Sequence, residues 1–322
     1  MASEKRQQEK TELHSRNKNR ERYDLEALVI AVPELGNYVK PNKYGDDSVD
    51  FSNPAAVKFL NKALLKHYYG IHYWEFPDEN LCPPIPGRAE YIHRVADLLG
   101  ESNFGRIPTG DKIMCLDVGI GASCIYPILG VTEYGWKFIG SDIDSKSIAL
   151  AQNIVDENPS LKGMIECRLQ KHSRNIFHGI IGTDEKIDVS LCNPPFHSSA
   201  EEANEGTRRK IKNLSGKTDK TPELNFGGIS NELICDGGEA KFIDTMVFES
   251  KKVGKNCYWF STIVSKQSNL KGIYKLLEKL EANEIKTILM GTGNKSSRIV
   301  AWSFLSKEEQ KEWRDSRWKK TI

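Results

Sequence analysis

A chain of 322 residues, 39% hydrophobic and 28% charged, has the make-up of a globular protein with a sizeable core, which excludes collagen-like, disordered and disulfide-framework classes. A formal net charge of +2 excludes a protein that gathers polyanions by bulk charge alone, and no apolar run approaches the roughly 18 residues of a membrane span. The seven cysteines show no Cys-x-x-Cys or metal-ligand spacing and the start of the chain lacks an apolar signal stretch, so reduced core thiols, no metal and a cytoplasmic location are expected.

Charge gathers at the two ends. Residues 5 to 22 hold Lys5, Arg6, Lys10, Arg16, Lys18, Arg20 and Arg22, and the tail interleaves Lys311, Arg314, Arg317, Lys319 and Lys320 with Trp313 and Trp318. Basic residues beside aromatics suit phosphate contacts and base stacking; a solvated helical terminus fits the admixed glutamates equally well. From residue 24 to 100 the pattern is helical and loop-like. Leu25 to Leu28 opens one helix, and Asn53-Pro54 opens another that runs through Leu65. Leu81 to Arg88 holds three prolines, which predicts a stiff loop before a helix over Ala89 to Leu99.

Beyond residue 110, short β-rich runs alternate with helical segments, the mark of βαβ units and a parallel sheet. The predicted strands are Lys112 to Val118, Lys137 to Ser141, Met164 to Leu169, Ile187 to Cys192, Cys257 to Val264, Ile285 to Met290 and Ile299 to Phe304. Together they predict an α/β fold, a seven-stranded, mostly parallel, doubly wound sheet preceded by a helical extension. Residues 1–100 form that extension and residues 101–322 the sheet domain, interrupted by a loop at 197–240 that is too long for a plain connection.

Three strand ends carry chemistry. Leu116-Asp117-Val118-Gly119-Ile120-Gly121-Ala122-Ser123 runs a strand into a glycine turn, where backbone can approach a ligand; Cys124 stands where a third glycine is expected. Gly140-Ser141-Asp142-Ile143-Asp144 puts a carboxylate at the next strand's tip, suited to a ribose diol, with Asp144 as cap of the following helix. A turn and an acid of this kind also serve nicotinamide dinucleotides. The fourth strand separates the readings, because it ends in Asn193-Pro194-Pro195-Phe196. An adenine amine is a poor nucleophile, its lone pair being delocalised into the ring. The Asn193 side-chain oxygen and the Pro194 carbonyl can accept its two hydrogens and hold it pyramidal. The prolines stiffen the turn, and Phe196 offers a face to an extruded base. The bland alternative is a rigid turn after a buried strand.

In these motifs, in His14-Ser15-Arg16-Asn17, in Asp50 to Val57, in Leu81 to Arg94 and in Asn193 to Asn213, the chain resembles class I S-adenosylmethionine-dependent methyltransferases of the adenine-N6 type. Within them it is similar to the bacterial 23S ribosomal RNA adenine-N6-methyltransferase family. The resemblance implies a Rossmann-like fold and S-adenosylmethionine as cofactor. It implies transfer of methyl to N6 of one adenine in 23S (large-subunit) ribosomal RNA, free or in an assembly intermediate, by a monomer.

The expected cofactor set is Arg88, Asp117, Gly119, Gly121, Asp142 and Asn193, with Arg88 on the methionine carboxylate. The expected catalytic set is Asn193, Pro194, Pro195 and Phe196. RNA contacts fall to Arg16, Lys18, Arg20, Arg208, Arg209, Lys210 and Lys212, and Phe226-Gly227-Gly228 would help close the site. The related family carries a hydroxyl residue where this chain has His172, which leaves a cofactor contact by His172 open. Rival readings are a DNA adenine-N6 methyltransferase, a protein glutamine methyltransferase and a non-catalytic RNA-binding assembly factor.

Overall fold

The computed structural model describes residues 13–199, 233–292 and 295–319. Helix α1 (Leu25–Ala31), a 3-10 turn (Pro33–Tyr38) and a small antiparallel hairpin of β1 (Val39–Pro41) and β2 (Asp47–Val49) precede two longer helices, α2 (Pro54–Tyr69) and α3 (Ile85–Ser102). Then come β3 (Met114–Val118), α4 (Ile125–Tyr134), β4 (Lys137–Asp142), α5 (Ser145–Glu157), β5 (Ile165–Leu169) and β6 (Ile187–Cys192). The chain ends through α6 (Gly238–Lys252), β7 (Cys257–Val264), α7 (Leu270–Lys279), β8 (Glu284–Thr292), β9 (Lys295–Ser303) and α8 (Lys307–Trp313).

Strands β3 to β9 form one sheet in the order β5-β4-β3-β6-β7-β9-β8. The first five are mutually parallel and β9 runs antiparallel to both neighbours. Because β3, β4 and β6 are parallel and adjacent, their carboxyl ends share one rim, where open α/β sheets bind ligands. The order reverses at β3, which puts the crevice between β3 and β6.

The caps explain several boundaries. Asn53 accepts from the amides of Ala55 and Ala56 to start α2, with Pro54 in the first turn. Asp144 accepts from Lys146 and Ser147 to start α5, the cap role read from the sequence. Two expectations are corrected. The proline-rich loop ends sooner than expected, since Ile85-Pro86-Gly87-Arg88 is the first turn of α3; proline costs nothing there because the first-turn amides have no intrahelical partner. The β1–β2 hairpin escaped the sequence reading because strands of three largely exposed residues carry no hydrophobic alternation.

A third correction concerns the tail. Trp313 and Trp318 are buried, and both indole N–H groups donate to Asp188 Oδ1 at 2.7 Å. Arg317 donates to Asp188 from Nε and Nη2 (3.2 and 2.8 Å), and the Met114 amide donates to its other oxygen at 2.7 Å. These aromatics are therefore core and do not stack on bases. Asp188 sits at the start of β6, roughly 16 Å along the strand from Asn193, so this clamp lies at the rim opposite the ligand end.

The amino-terminal arm is also built in. His14 Nε2 lies 2.7 Å from Asp97 Oδ2 and the His14 amide donates to buried Glu90. Asn17 donates to the Pro86 carbonyl at 2.9 Å, so the arm braces the turn that carries Arg88. Beneath the arm, His93 shares a 2.7 Å hydrogen bond with the Tyr134 hydroxyl. Burial, helped by neighbouring His14 and Arg16, pushes its pKa from 6.5 down to about 3. The unfolded imidazole then takes up a proton that the folded one refuses, so stability is full above about pH 6.5 and is lost as pH falls toward 3. Urea midpoints measured from pH 7 to 4.5 should fall in the parent and fall less steeply in His93→Gln.

Candidate active site

At the rim, β3 ends in Asp117 and Val118 and turns through Gly119 (φ +79°) and Gly121 (φ +61°). The amides of Gly119 and Ile120 both donate to the Ser141 carbonyl at 2.9 Å, which folds the glycine turn onto the tip of β4. Where the expected third glycine is absent, Cys124 takes the left-handed conformation itself (φ 52°, ψ 29°) as N-cap of α4. The geometry is kept by a buried cysteine at a modest backbone cost.

Asp142 links the two strand tips. Its Oδ2 accepts from the Gly121 amide and its Oδ1 from the Asp144 amide, each at 3.0 Å. Burial raises its pKa, and these amides oppose the rise. The remaining lone pairs are available to a ribose diol. Beside it, Ile143 and Leu169, at the ends of β4 and β5, stand 48% and 40% exposed. Two apolar side chains left in water on either side of Asp142 have the chemistry to pack on a flat base. The sequence reading missed this pair because Leu169 comes level with Asp142, next to Ile143 in the chain, only when β4 and β5 pair. His172 is exposed just beyond Leu169, and its amide donates to Gln170 Oε1 at 3.0 Å.

Asp117 is the most telling group. It is 1% exposed, and neither carboxylate oxygen has a hydrogen-bond partner among the described residues. Burial pushes its pKa well above the usual carboxylate range; the Asp142 charge adds to this and Arg88 opposes it. An orphaned buried acid calls for a cationic donor that the described residues do not supply. The α-ammonium of an amino-acid ligand has that chemistry. Arg88, whose guanidinium lies 5.6 Å from the Tyr126 ring centre, stands ready for the carboxylate of the same ligand. Acid, glycine turn, diol acceptor, apolar pair and arginine together fit S-adenosylmethionine.

On the other side of β3, the strand β6 delivers Asn193. Its side-chain oxygen is buried and accepts no hydrogen bond among the described residues. Pro194 is buried, and Pro195 and Phe196 are half-buried. After Phe196 the chain is stapled: the His197 amide donates to the Leu233 carbonyl and the Cys235 amide to the His197 carbonyl, both at 3.0 Å. The two described ends of the long insertion thus meet beside the Asn193 turn. Arg208, Arg209, Lys210, Lys212 and Phe226 to Gly228 lie outside the described residues.

Of the other candidate RNA contacts, Arg16 is engaged by Tyr134, Asp97 and the His93 carbonyl. Lys18 pairs with Glu133 at 3.0 Å and donates to the Tyr68 carbonyl. Arg20, half-buried, follows the turn in which its amide donates to the Asn17 carbonyl.

The close packing beneath the glycine turn gives one expectation. A Cβ on Gly140 would meet Ile120 Cδ1 at 2.1 Å, and Ile120 is buried between Gly119 and Gly121. Gly140→Ala should therefore displace the turn and weaken S-adenosylmethionine binding about tenfold or more, read by calorimetry, with the fold retained.

Comparison with known proteins gives the family. The model of a family described as RNA methyltransferase matches residues 7–306. A Cytophaga hutchinsonii protein named ribosomal RNA large subunit methyltransferase F is 57% identical over 310 residues, 96% of each chain. Its Photobacterium profundum namesake is 51% identical over 327 residues, 97% of each. Among solved structures, the human METTL16 catalytic domain in complex with MAT2A 3'UTR hairpin 1 aligns with a TM-score of 0.77 at 26% identity, covering 92% of this chain and 96% of that one. The N-terminal domain of human METTL16 in complex with SAH aligns with a TM-score of 0.71 at 25% identity, covering 91% and 99%.

Proposed function

The chain belongs to the RNA methyltransferase family and draws its methyl group from S-adenosylmethionine; on that premise we propose that the acceptor is the N6 amine of an adenine in 23S ribosomal RNA. The observation that carries the reading is the Asn193 side-chain oxygen, a buried acceptor without a partner among the described residues, placed directly after the strand that pairs with β3.

Arg88, Asp117, Gly119, Gly121 and Asp142 hold the cofactor in this reading. When bound, S-adenosylmethionine supplies an electrophilic methyl on a sulfonium, so the chemistry calls for neither a metal nor a strong base. The Asn193 oxygen takes one N6 hydrogen and the Pro194 carbonyl the other. Both dipoles favour a pyramidal nitrogen and disperse the positive charge that develops on it, and their alignment supplies much of the rate. The proline pair removes the freedom the turn would otherwise lose on binding. Phe196 stacks on the base, which leaves its helix or loop to be modified.

Residues 1–100 act as cofactor cover and RNA contact around the methyltransferase domain of residues 101–322, and the basic residues of the 197–240 loop engage phosphates. The enzyme works as a monomer in the cytoplasm. No helix among the described residues is long and apolar enough to cross a membrane.

Labelled S-adenosylmethionine offered with naked ribosomal RNA, assembled large subunits and duplex DNA tests the assignment. Label should map to N6 of one adenine in large-subunit RNA. Label in DNA alone would move the assignment to a DNA enzyme, and tight RNA binding without transfer to an assembly factor.

A further inference from the structure

The sheet is opened beside Asn193 by a side chain from outside it. β6 and β7 pair only as far as Ser190 and Phe260. β7 runs on to Val264 bonded to β9 alone, and β6 stays bonded to β3 through Cys192. Into the gap between them comes the hydroxyl of Tyr91, a fully buried residue of α3. The Cys192 amide donates to the Tyr91 oxygen at 3.3 Å, and that oxygen lies 2.9 Å from Ser261 Oγ, which in turn donates to the Ser190 carbonyl at 2.7 Å. Ser261 has a single hydroxyl hydrogen and spends it on Ser190, so Tyr91 must be the donor between the two hydroxyls. The relay therefore starts and ends on β6, and satisfies a backbone N–H and a C=O of that strand at the point where it parts from β7.

We propose that Tyr91 is a positioning residue for methyl transfer: its hydroxyl, through Ser261, splits β6 from β7 and sets the direction in which Cys192 hands the chain to Asn193. The proposal rests on the assignment of Asn193 as the amine acceptor. Burial raises the Tyr91 pKa well above its ordinary value, so the phenol keeps the proton the relay needs. The same ring packs edge-on against Tyr126 at 5.4 Å, and Tyr126 lies under Arg88, one turn earlier on α3. One helix thus presents both the cofactor's arginine and the wedge that aims the base holder. Asn193 sits on no helix and has no described partner for its own side-chain oxygen, so its aim depends on where its backbone leaves the sheet.

Tyr91→Phe keeps the ring and deletes the relay. Its kcat should fall about ten- to a hundredfold, the scale set by a small misplacement of a reacting group. KM for S-adenosylmethionine, and Kd for its demethylated product, should stay within about threefold because Arg88 and Asp117 are untouched. Ser261→Ala should lower kcat less, and adding it to Tyr91→Phe should change little further, since both cut one chain. A kcat within twofold of the parent in Tyr91→Phe would overturn the proposal, and so would a parallel loss of cofactor affinity. If Tyr91→Phe does not fold, Ser261→Ala decides on the same readouts. Turnover that survives Asn193→Ala would sink the assignment of the site and this inference with it; an abolished Asn193→Ala beside a silent Tyr91→Phe would sink the inference alone.

Discussion

Asn193→Ala should lose about two to three orders of magnitude in methyl transfer while binding S-adenosylmethionine within a few-fold of the parent. The side chain ends in a buried oxygen that accepts no hydrogen bond among the described residues, so its removal costs the fold little; what goes, on the proposed assignment, is a dipole aimed at charge that exists only in the transition state. Removing one such preorganised group from an enzyme costs on the order of 100- to 1000-fold in kcat. Asn193→Asp gives the contrasting arm. Its carboxylate would still accept the hydrogen but would follow the strand that pairs with the one carrying Asp117, so cofactor affinity should change with turnover. Single-turnover rates and equilibrium binding of the cofactor separate the two effects. Near-parental turnover in Asn193→Ala would remove the amine-holding role.

The largest stability effect should come from Asp188→Ala. Asp188 is fully buried and takes hydrogen bonds from Trp313, Trp318, Arg317 and the Met114 amide. Alanine would leave two indole N–H groups and a guanidinium without their acceptor. Breaking a buried charged cluster from one side costs about 3 to 5 kcal/mol, which for a chain of this size is a fall in Tm of roughly 5 to 7 °C. Thermal melts by circular dichroism read it directly. Asp188→Asn, which keeps one acceptor oxygen, should fall between parent and alanine. Because the clamp lies at the opposite rim from Asn193, cofactor affinity of the folded fraction should stay parental. A melting point within 2 °C of the parent would show that the clamp contributes nothing net.

Much of this architecture can be read from local chemistry. β6 and β7 begin and end where β-rich, largely apolar runs meet turn residues, and Asn53 and Asp144 announce their helices by the cap they form. The three strand-end motifs were legible for the same reason, since each packs its chemistry into consecutive residues. What escaped depends on distant residues meeting. Ile143 and Leu169 come to flank Asp142 only when two strands align, and Tyr91 looks like an ordinary helical core residue until its hydroxyl is seen between two strands. The tail misled in the opposite sense. Trp313 and Trp318 among basic residues read as a nucleic-acid surface or a solvated helical end because the acid that buries them is 125 and 130 positions away.

That separation bears on how the chain is made. The ribosome releases Asp188 long before most of the residues that satisfy it, so the clamp at the foot of β6 can form only after residues 313–318 have emerged. Contacts this far apart in sequence slow folding, because a long loop must close before any bond rewards it. The newborn enzyme should therefore gain protease resistance in one late step, and a pause in translation ahead of Trp313 should leave a chain that a chaperone still recognises.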